Sequence, residues 1–292
     1  NTQQVTRAMK MVAAAKLRRA QERIFQTRPY AFKIGEIISH LKQQLDPTLH
    51  ELFTPHEDVN GALVIVVTAD RGLAGAFNSN VIKLAEQTIA EEFATEEASG
   101  NLYLICIGRK GHEHFAKRGY QLIGDFRGAF NNLDFDTAQE AAEAAVEGYL
   151  DGRWDIVRLV YNEFKNTISQ NRIAEPMLPI PEQQFLTPVM EDELEVSEQI
   201  GDNRAVDYIF EPDPETILEV LLPRYLNYEV WRAMLESNAA EQGARMVAMD
   251  NATSNADELL RSLRLQYNRA RQSAITKEIL EITSGAEALA AS

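Results

Sequence analysis

Read for hydrophobic periodicity, the chain falls into three zones, 1–58, 59–212 and 213–292. In the first, apolar positions recur at helical spacing: Val5, Ala8, Val12 and Ala15, then Ile24, Ile34, Ile37, Ile38, Leu41 and Leu45. The spacing predicts a helix whose seam holds the small residues Ala8 and Ala15, kinked or broken at Pro29 and ended by Pro47 and Pro55. The second zone alternates strand and helix signals. Gly61–Thr68 and Leu102–Ile107 are unbroken apolar runs, as expected of strands buried on both faces. Tyr120–Ile123 and Asp155–Tyr161 read as further strands, Gln184–Val189 and Val206–Phe210 as weaker ones. Between them, Asn80–Ala94, Lys110–Arg118 and Asp136–Leu150 read as helices, so the order is that of an α/β sheet, Rossmann-like in class.

The third zone is the most informative. Asp213-Pro-Glu is a helix start: a capping acid, proline at the first helical position, then another acid. Pro223 is expected to kink the helix and Gly285 to stop it. Between Arg224 and Ser284 there is no proline, and Gly243 is the one glycine. A helix of that length is a rod of roughly 90 Å, too long to lie wholly on its own domain. Its seam steps by threes and fours: Tyr228, Trp231, Leu235, Ala239, Gln242, Met246, Met249, Thr253, Ala256, Leu260, Leu263, Tyr267, Ala270, Ala274. That is a coiled-coil period, but the residues are too small and mixed for a self-sufficient zipper. An antiparallel pair made from the two chain ends, with the α/β domain at one end, accounts for all three zones.

Charge adds a bias toward partners. The net charge is −15, yet residues 1–33 carry Arg7, Lys10, Lys16, Arg18, Arg19, Arg23, Arg28 and Lys33 against Glu22 alone. The stretch Glu191–Glu219 is the reverse, and Glu191–Asp202 reads as a solvated loop. The basic helix is a poor nucleic-acid reader, because few aromatics interleave with its cations. Its seam of Ala, Val and Met also suits a membrane surface badly. No run approaches the ~20 apolar residues that span a bilayer, no secretory signal opens the chain, and Asn1 in place of Met suggests a short missing or cleaved piece. Cys106 is the lone cysteine, so no internal disulfide forms.

Signals for chemistry are sparse. Asp70-Arg-Gly-Leu-Ala-Gly75 lies between a strand and a helix, where phosphate loops sit, but it fits neither glycine-rich nucleotide pattern. Gly72 and Gly75 read more simply as a tight turn, and Gly108-Arg-Lys-Gly111 likewise. His112, Glu113 and His114 are too close in sequence to share a helix face. No serine sits in a nucleophile-elbow motif. No catalytic residue, cofactor or metal is expected. An α/β nucleotide-binding enzyme using the turn at Gly72–Gly75 is the alternative, and it leaves the long final helix unexplained; a free-standing coiled-coil homodimer is disfavoured by the irregular seam.

Four segments resemble the gamma subunit of the F-type ATP synthase of bacteria: Thr6–Gln21 (TRAMKMVAAAKLRRAQ), Thr68–Asn78 (TADRGLAGAFN), Glu236–Ala256 (ESNAAEQGARMVAMDNATSNA) and Tyr267–Ala286 (YNRARQSAITKEILEITSGA). They run in the family's order across the chain; Pro181–Asp213 is the least similar part. The resemblance implies a curved antiparallel coiled coil standing inside a hexamer of alpha and beta subunits. It implies an α/β domain at its foot against the epsilon subunit and the membrane ring of c subunits, one copy per complex, peripheral to the cytoplasmic face of the inner membrane. Proton flow would turn the ring and this shaft with it, driving ATP synthesis in the beta subunits. By motif position, Met9, Lys10, Lys16, Arg18 and Arg19 are expected to face the acidic lever loops of the beta subunits. Arg271, Gln272, Thr276, Glu278 and Glu281 are expected on the upper shaft, at the hexamer's sleeve. With only Cys106 present, the thiol regulation of the chloroplast form is not expected.

Overall fold

The computed structural model describes residues 1–44, 50–56, 59–181, 185–192, 211 and 213–290. Two long helices flank a sheet domain: α1 (Thr2–Gln44) and α6 (Pro214–Ala290). At 77 residues, α6 is roughly 115 Å long. Asp213 starts it as expected, accepting the Thr216 N–H at 2.9 Å while the Thr216 hydroxyl donates back to the same carboxylate at 2.8 Å.

Between them lie β1 (Ala62–Val67), α2 (Phe77–Glu92), α3 (Ala94–Ser99), β2 (Leu102–Ile107), α4 (Arg109–Ala116), β3 (Gln121–Leu122), α5 (Phe135–Leu150), β4 (Ile156–Phe164) and β5 (Gln170–Leu178). The strand order is β3-β2-β1-β4-β5, parallel except for β5, which pairs antiparallel to β4. Alternation along β1 sends Leu63, Ile65 and Val67 into one apolar layer, with α5, α6 and the end of α1. Ala62, Val64 and Val66 go into the other, under α2 and Phe115 of α4. The sheet is therefore covered on both faces, as its unbroken apolar runs require.

Several expectations are corrected. Neither proline nor glycine interrupts its helix: α1 runs through Pro29, and α6 runs through Pro223 and on past Gly285 to Ala290. A mid-helix proline costs ~3 kcal/mol, but buried residues on both sides keep α1 continuous through it, Ile24 before and Ile34 and Ile38 after. Leu222 and Leu226 do the same around Pro223. Residues 185–187 form no strand and 188–192 are helical, where a strand was expected at Gln184–Val189; Gln184 and Val206–Phe210 lie outside the described residues, as do 193–202. The pattern also missed β5, where Gln170, Arg172 and Pro176 interrupt the apolar positions.

The first part of the α1 seam is shifted by one to two positions, while Ile24, Ile34, Ile38 and Leu41 are buried as expected. Val5 and Val12 are more than half exposed, and Ala8 and Ala15 face solvent. The face turned to α6 is Gln3, Thr6, Lys10, Ala13, Leu17, Ala20 and Ile24. Both stripes have coiled-coil spacing, but the first runs into Arg19 and Glu22, whereas the second continues through Leu17 and Ile24. The stripe that buries more apolar surface over more turns prevails.

Candidate functional site

The shaft is held differently along its length. Near Asn1 the two helices meet through polar pairs: Gln3 donates to Asp257 at 2.7 Å, the Thr253 hydroxyl to that of Thr6 at 2.8 Å, and Lys10 to Asp250 at 2.6 Å. Lower down the contact is apolar, with Leu17, Ala20 and Ile24 of α1 against Leu235, Ala239 and Ala240 of α6. Among the seam residues expected on α6, Leu235, Ala239, Gln242, Met249 and Thr253 are buried. From Leu260 onward the seam faces solvent.

The residues singled out in the sequence fall into two groups. Met9 and Lys10 are half-buried on the flank of the coil, while Lys16, Arg18 and Arg19 are exposed, with Arg18 on Glu22 at 3.3 Å. Arg271, Gln272, Thr276, Glu278 and Glu281 all lie exposed on the single-helix part of α6. Arg271 stands about 20 Å along the axis beyond the level of Gln3. Glu281 faces Lys277 at 3.8 Å. The two groups are well separated along the shaft.

The turn Thr68–Gly75 is a structural joint. The Asp70 carboxylate accepts the backbone N–H groups of Arg109 at 2.9 Å, Gly128 at 2.8 Å and Phe130 at 2.9 Å. Arg109 is the first residue of α4, so the helix terminus at the Gly108–Gly111 turn already holds a carboxylate. Asn78 ties the turn from the other side, accepting Ala69 N–H at 2.9 Å. Gly108, at φ +100°, passes so close to the Thr68 carbonyl that a Cβ there would lie 2.0 Å from it. Ala69 and Ala74 pack on the shaft, and Arg245 of α6 donates to the Gly72 carbonyl at 2.6 Å and pairs with Glu241. An open cleft of about 570 Å³ lies above this joint, bounded by Val5, Met9 and Val12 of α1 and by Leu73 and Phe130.

His114 pairs with Glu86 at 2.8 Å on the domain surface. Among the described residues no cluster of His, Cys, Asp or Glu is placed to hold a metal.

A buried polar junction, not anticipated from the sequence, joins shaft to sheet. Arg28 of α1 donates through Nε and Nη2 to Glu236 of α6 at 3.0 and 2.9 Å. Glu236 accepts the Phe164 N–H of β4 at 3.0 Å, and Arg28 reaches the Phe164 carbonyl at 3.4 Å. One turn away, Arg232 of α6 donates to Glu175 of β5 at 2.7 Å, to Glu229 at 2.5 Å and to the Tyr161 hydroxyl of β4 at 2.6 Å. That hydroxyl donates to Glu175 at 3.0 Å. Burial pushes the Glu175 carboxyl up to about 7 against the pull of Arg232, and raises Glu236 against the pull of Arg28. The available signal was a pair of charges, Arg232 and Glu236, four apart inside the apolar stretch Val230–Ala240.

A family model described as ATP synthase matches residues 1–289. The ATP synthase gamma chain of Salinibacter ruber is 64% identical over 289 residues, covering 99% of this chain and 94% of its own length. The chain belongs to the ATP synthase gamma-chain family. The gamma chain of Chloroherpeton thalassium is 52% identical over 292 residues, with the same coverage. A gamma chain is a subunit of the synthase, not an enzyme by itself. Solved structures share its fold. A chain from the central stalk and c-ring of the Tetrahymena thermophila mitochondrial ATP synthase aligns with a TM-score of 0.59 at 24% identity, over 85% of this chain and 99% of its own. One from the Euglena gracilis mitochondrial ATP synthase rotor aligns at 0.57 and 21%, over 94% and 93%.

Proposed function

We propose that this chain is the central-stalk rotor subunit of a proton-translocating F-type ATP synthase. It carries torque from a membrane ring of c subunits to a hexamer of alpha and beta subunits, in which ATP is made. Residues 1–58 and 213–292 serve as the shaft and residues 59–212 as the foot, where the epsilon subunit and the c-ring bind. The complex works at the cytoplasmic face of the bacterial inner membrane. Contact with the bilayer runs through the complex; among the described residues no helix is long and apolar enough to cross a membrane. In hydrolysis the same shaft runs backwards, and its profile governs ATPase rate and proton flow.

The observation that carries this reading is the single helix beyond Asp257. Its side chains from Glu258 to Ala286 are all exposed, Leu259, Leu265, Tyr267 and Ile282 among them by 60% or more. A helix with apolar residues all round calls for a surrounding partner, which a hexamer sleeve supplies. Met9, Lys10, Lys16, Arg18 and Arg19 then meet the beta levers, and Arg271, Gln272, Thr276, Glu278 and Glu281 meet the sleeve. The competing nucleotide-enzyme reading, at the Gly72–Gly75 turn, leaves this exposed helix unexplained, and at that turn Arg245 of α6 already takes the Gly72 carbonyl. Reconstitution with purified alpha and beta subunits tests the proposal. One copy per hexamer with ATPase activity, beside no ATP binding by the isolated chain, is the expected result. No complex, with ATP bound by the chain alone, would overturn it.

A further inference from the structure

A shaft that transmits torque has to be fixed against turning within its own head domain, and packing alone does this poorly. Apolar contact is non-directional, so a helix seated only on Leu and Ala can rotate or slide with little change in buried area. Hydrogen bonds between a guanidinium and a carboxylate are directional, and a two-pronged one fixes orientation as well as distance. The contact between α6 and the sheet domain contains both kinds. Its apolar part includes Leu235, Ala239 and Phe164. Its polar part is the Arg28, Glu236, Arg232, Glu175 and Tyr161 network, every member at least 92% buried.

Resting on the rotor reading, we infer that this network is the torsional lock of the rotor, the element through which rotation of the foot is imposed on the shaft. Three features carry the inference. First, α1 and α6 converge on the backbone of one residue: Phe164 gives its N–H to Glu236 and its carbonyl to Arg28, while Arg28 and Glu236 hold each other. Neither helix can turn about the shaft axis without breaking bonds to β4. Second, Arg232 repeats the attachment one helical turn away, on β5 and β4 together. Two attachments separated along an axis resist twisting and tilting, where one would act as a pivot. Third, stability does not require this chemistry. Well-packed apolar side chains of the same volume hold a fold as well as a buried ion pair, or better. What the charges add is a fixed angle.

Gly243, two turns further along α6, completes the fit. The tip of the β4–β5 hairpin lies against the helix there, and a Cβ would meet the Thr167 carbonyl at 3.3 Å. Ser237 lies between the two sites and accepts the Asn162 N–H at 3.3 Å, so contact with β4 and its hairpin runs along one face of α6 from Arg232 to Gly243.

The experiment uses the assembled synthase carrying R232M/E175M, a volume-matched apolar replacement. The hexamer is anchored to a surface and a bead is attached to the foot through Leu150→Cys, an exposed position. The expected result is at least a twofold rise in the bead's angular variance without ATP, and a several-fold fall in protons pumped per ATP against a gradient, with unloaded ATPase unchanged. Thermal stability is measured alongside, since a merely structural pair would move the melting temperature and leave the variance alone. If that variant does not assemble, Arg28→Lys, which keeps the charge and loses the two-pronged geometry, carries the same test with a smaller rise. Wild-type variance and pumping in either assembled variant would overturn the lock. A wild-type chain that joins no hexamer would instead overturn the rotor reading beneath it.

Discussion

The shifted seam of α1 makes a sharp prediction, because two stripes with the same spacing compete and only one is buried. Leu17→Ala removes three carbons from a side chain that is 5% exposed, against Leu235 and Ala239. At about 0.8 kcal/mol per buried methylene the transfer loss is ~2.4 kcal/mol. A rigid two-helix contact cannot collapse fully into the gap, which brings the total to ~2.5–4 kcal/mol. Val12→Ala removes two carbons from a side chain that is 57% exposed, and less than ~0.5 kcal/mol is at stake. Urea unfolding of the isolated chain, followed by helix signal, compares them directly. Leu17→Ala is expected to shift the midpoint clearly and Val12→Ala to leave it in place. Equal shifts, or a larger one for Val12→Ala, would refute the buried register.

Three further outcomes follow from particular side chains. Arg18→Ala should leave the coupled ATPase of the reconstituted complex within about twofold of wild type, since an exposed pair with Glu22 at 3.3 Å is worth ~0–1 kcal/mol; complete loss would show that torque hangs on one charge. Cys106, 2% exposed and with its thiol pushed up to about 12 by burial, should resist iodoacetamide at pH 8 in the folded chain and react once urea is added. Glu175 has a folded pKa raised from 4.5 to about 7, so the native state holds a proton that the unfolded chain has released. That group therefore favours folding most below about pH 4.5, and its contribution falls as pH rises toward 7. Glu175→Gln should flatten the fall in melting temperature between pH 5 and pH 8 relative to wild type; parallel curves would refute the assignment.

The sheet was readable because β1 and β2 are buried on both faces and leave no polar interruption to confuse the pattern. The edge strand β5 was not, since one side of an edge tolerates Arg172 and Pro176. The seam of α6 was legible in period and, from Leu235 to Thr253, in rotation; the start of α1 was legible in period only, because on a helix rich in alanine neighbouring stripes have nearly equal hydrophobicity and only the reach of Leu17 and Ile24 separates them. Local helix-breaking signals at Pro29, Pro223 and Gly285 were outweighed by packing in the first two cases. At Gly285 the helical glycine costs only ~1 kcal/mol. The Arg28 and Glu236 pair could not be read from the sequence, because the two lie far apart in the chain and meet only through the fold.

The bare stretch of α6 has a bearing on how such a machine is built. A lone helix gains little from its own backbone bonds in water, and most helical stability in proteins comes from what the helix packs against. From Glu258 to Ala286 every described side chain is exposed, with apolar residues on all sides. Such a segment stays stiff only while something surrounds it. Its rigidity is then a property conferred by enclosure and lost on release. A hexamer closing around the tip would complete the rotor at the same moment that it completed itself, and a shaft freed from its sleeve would soften at the tip while remaining firm at the foot.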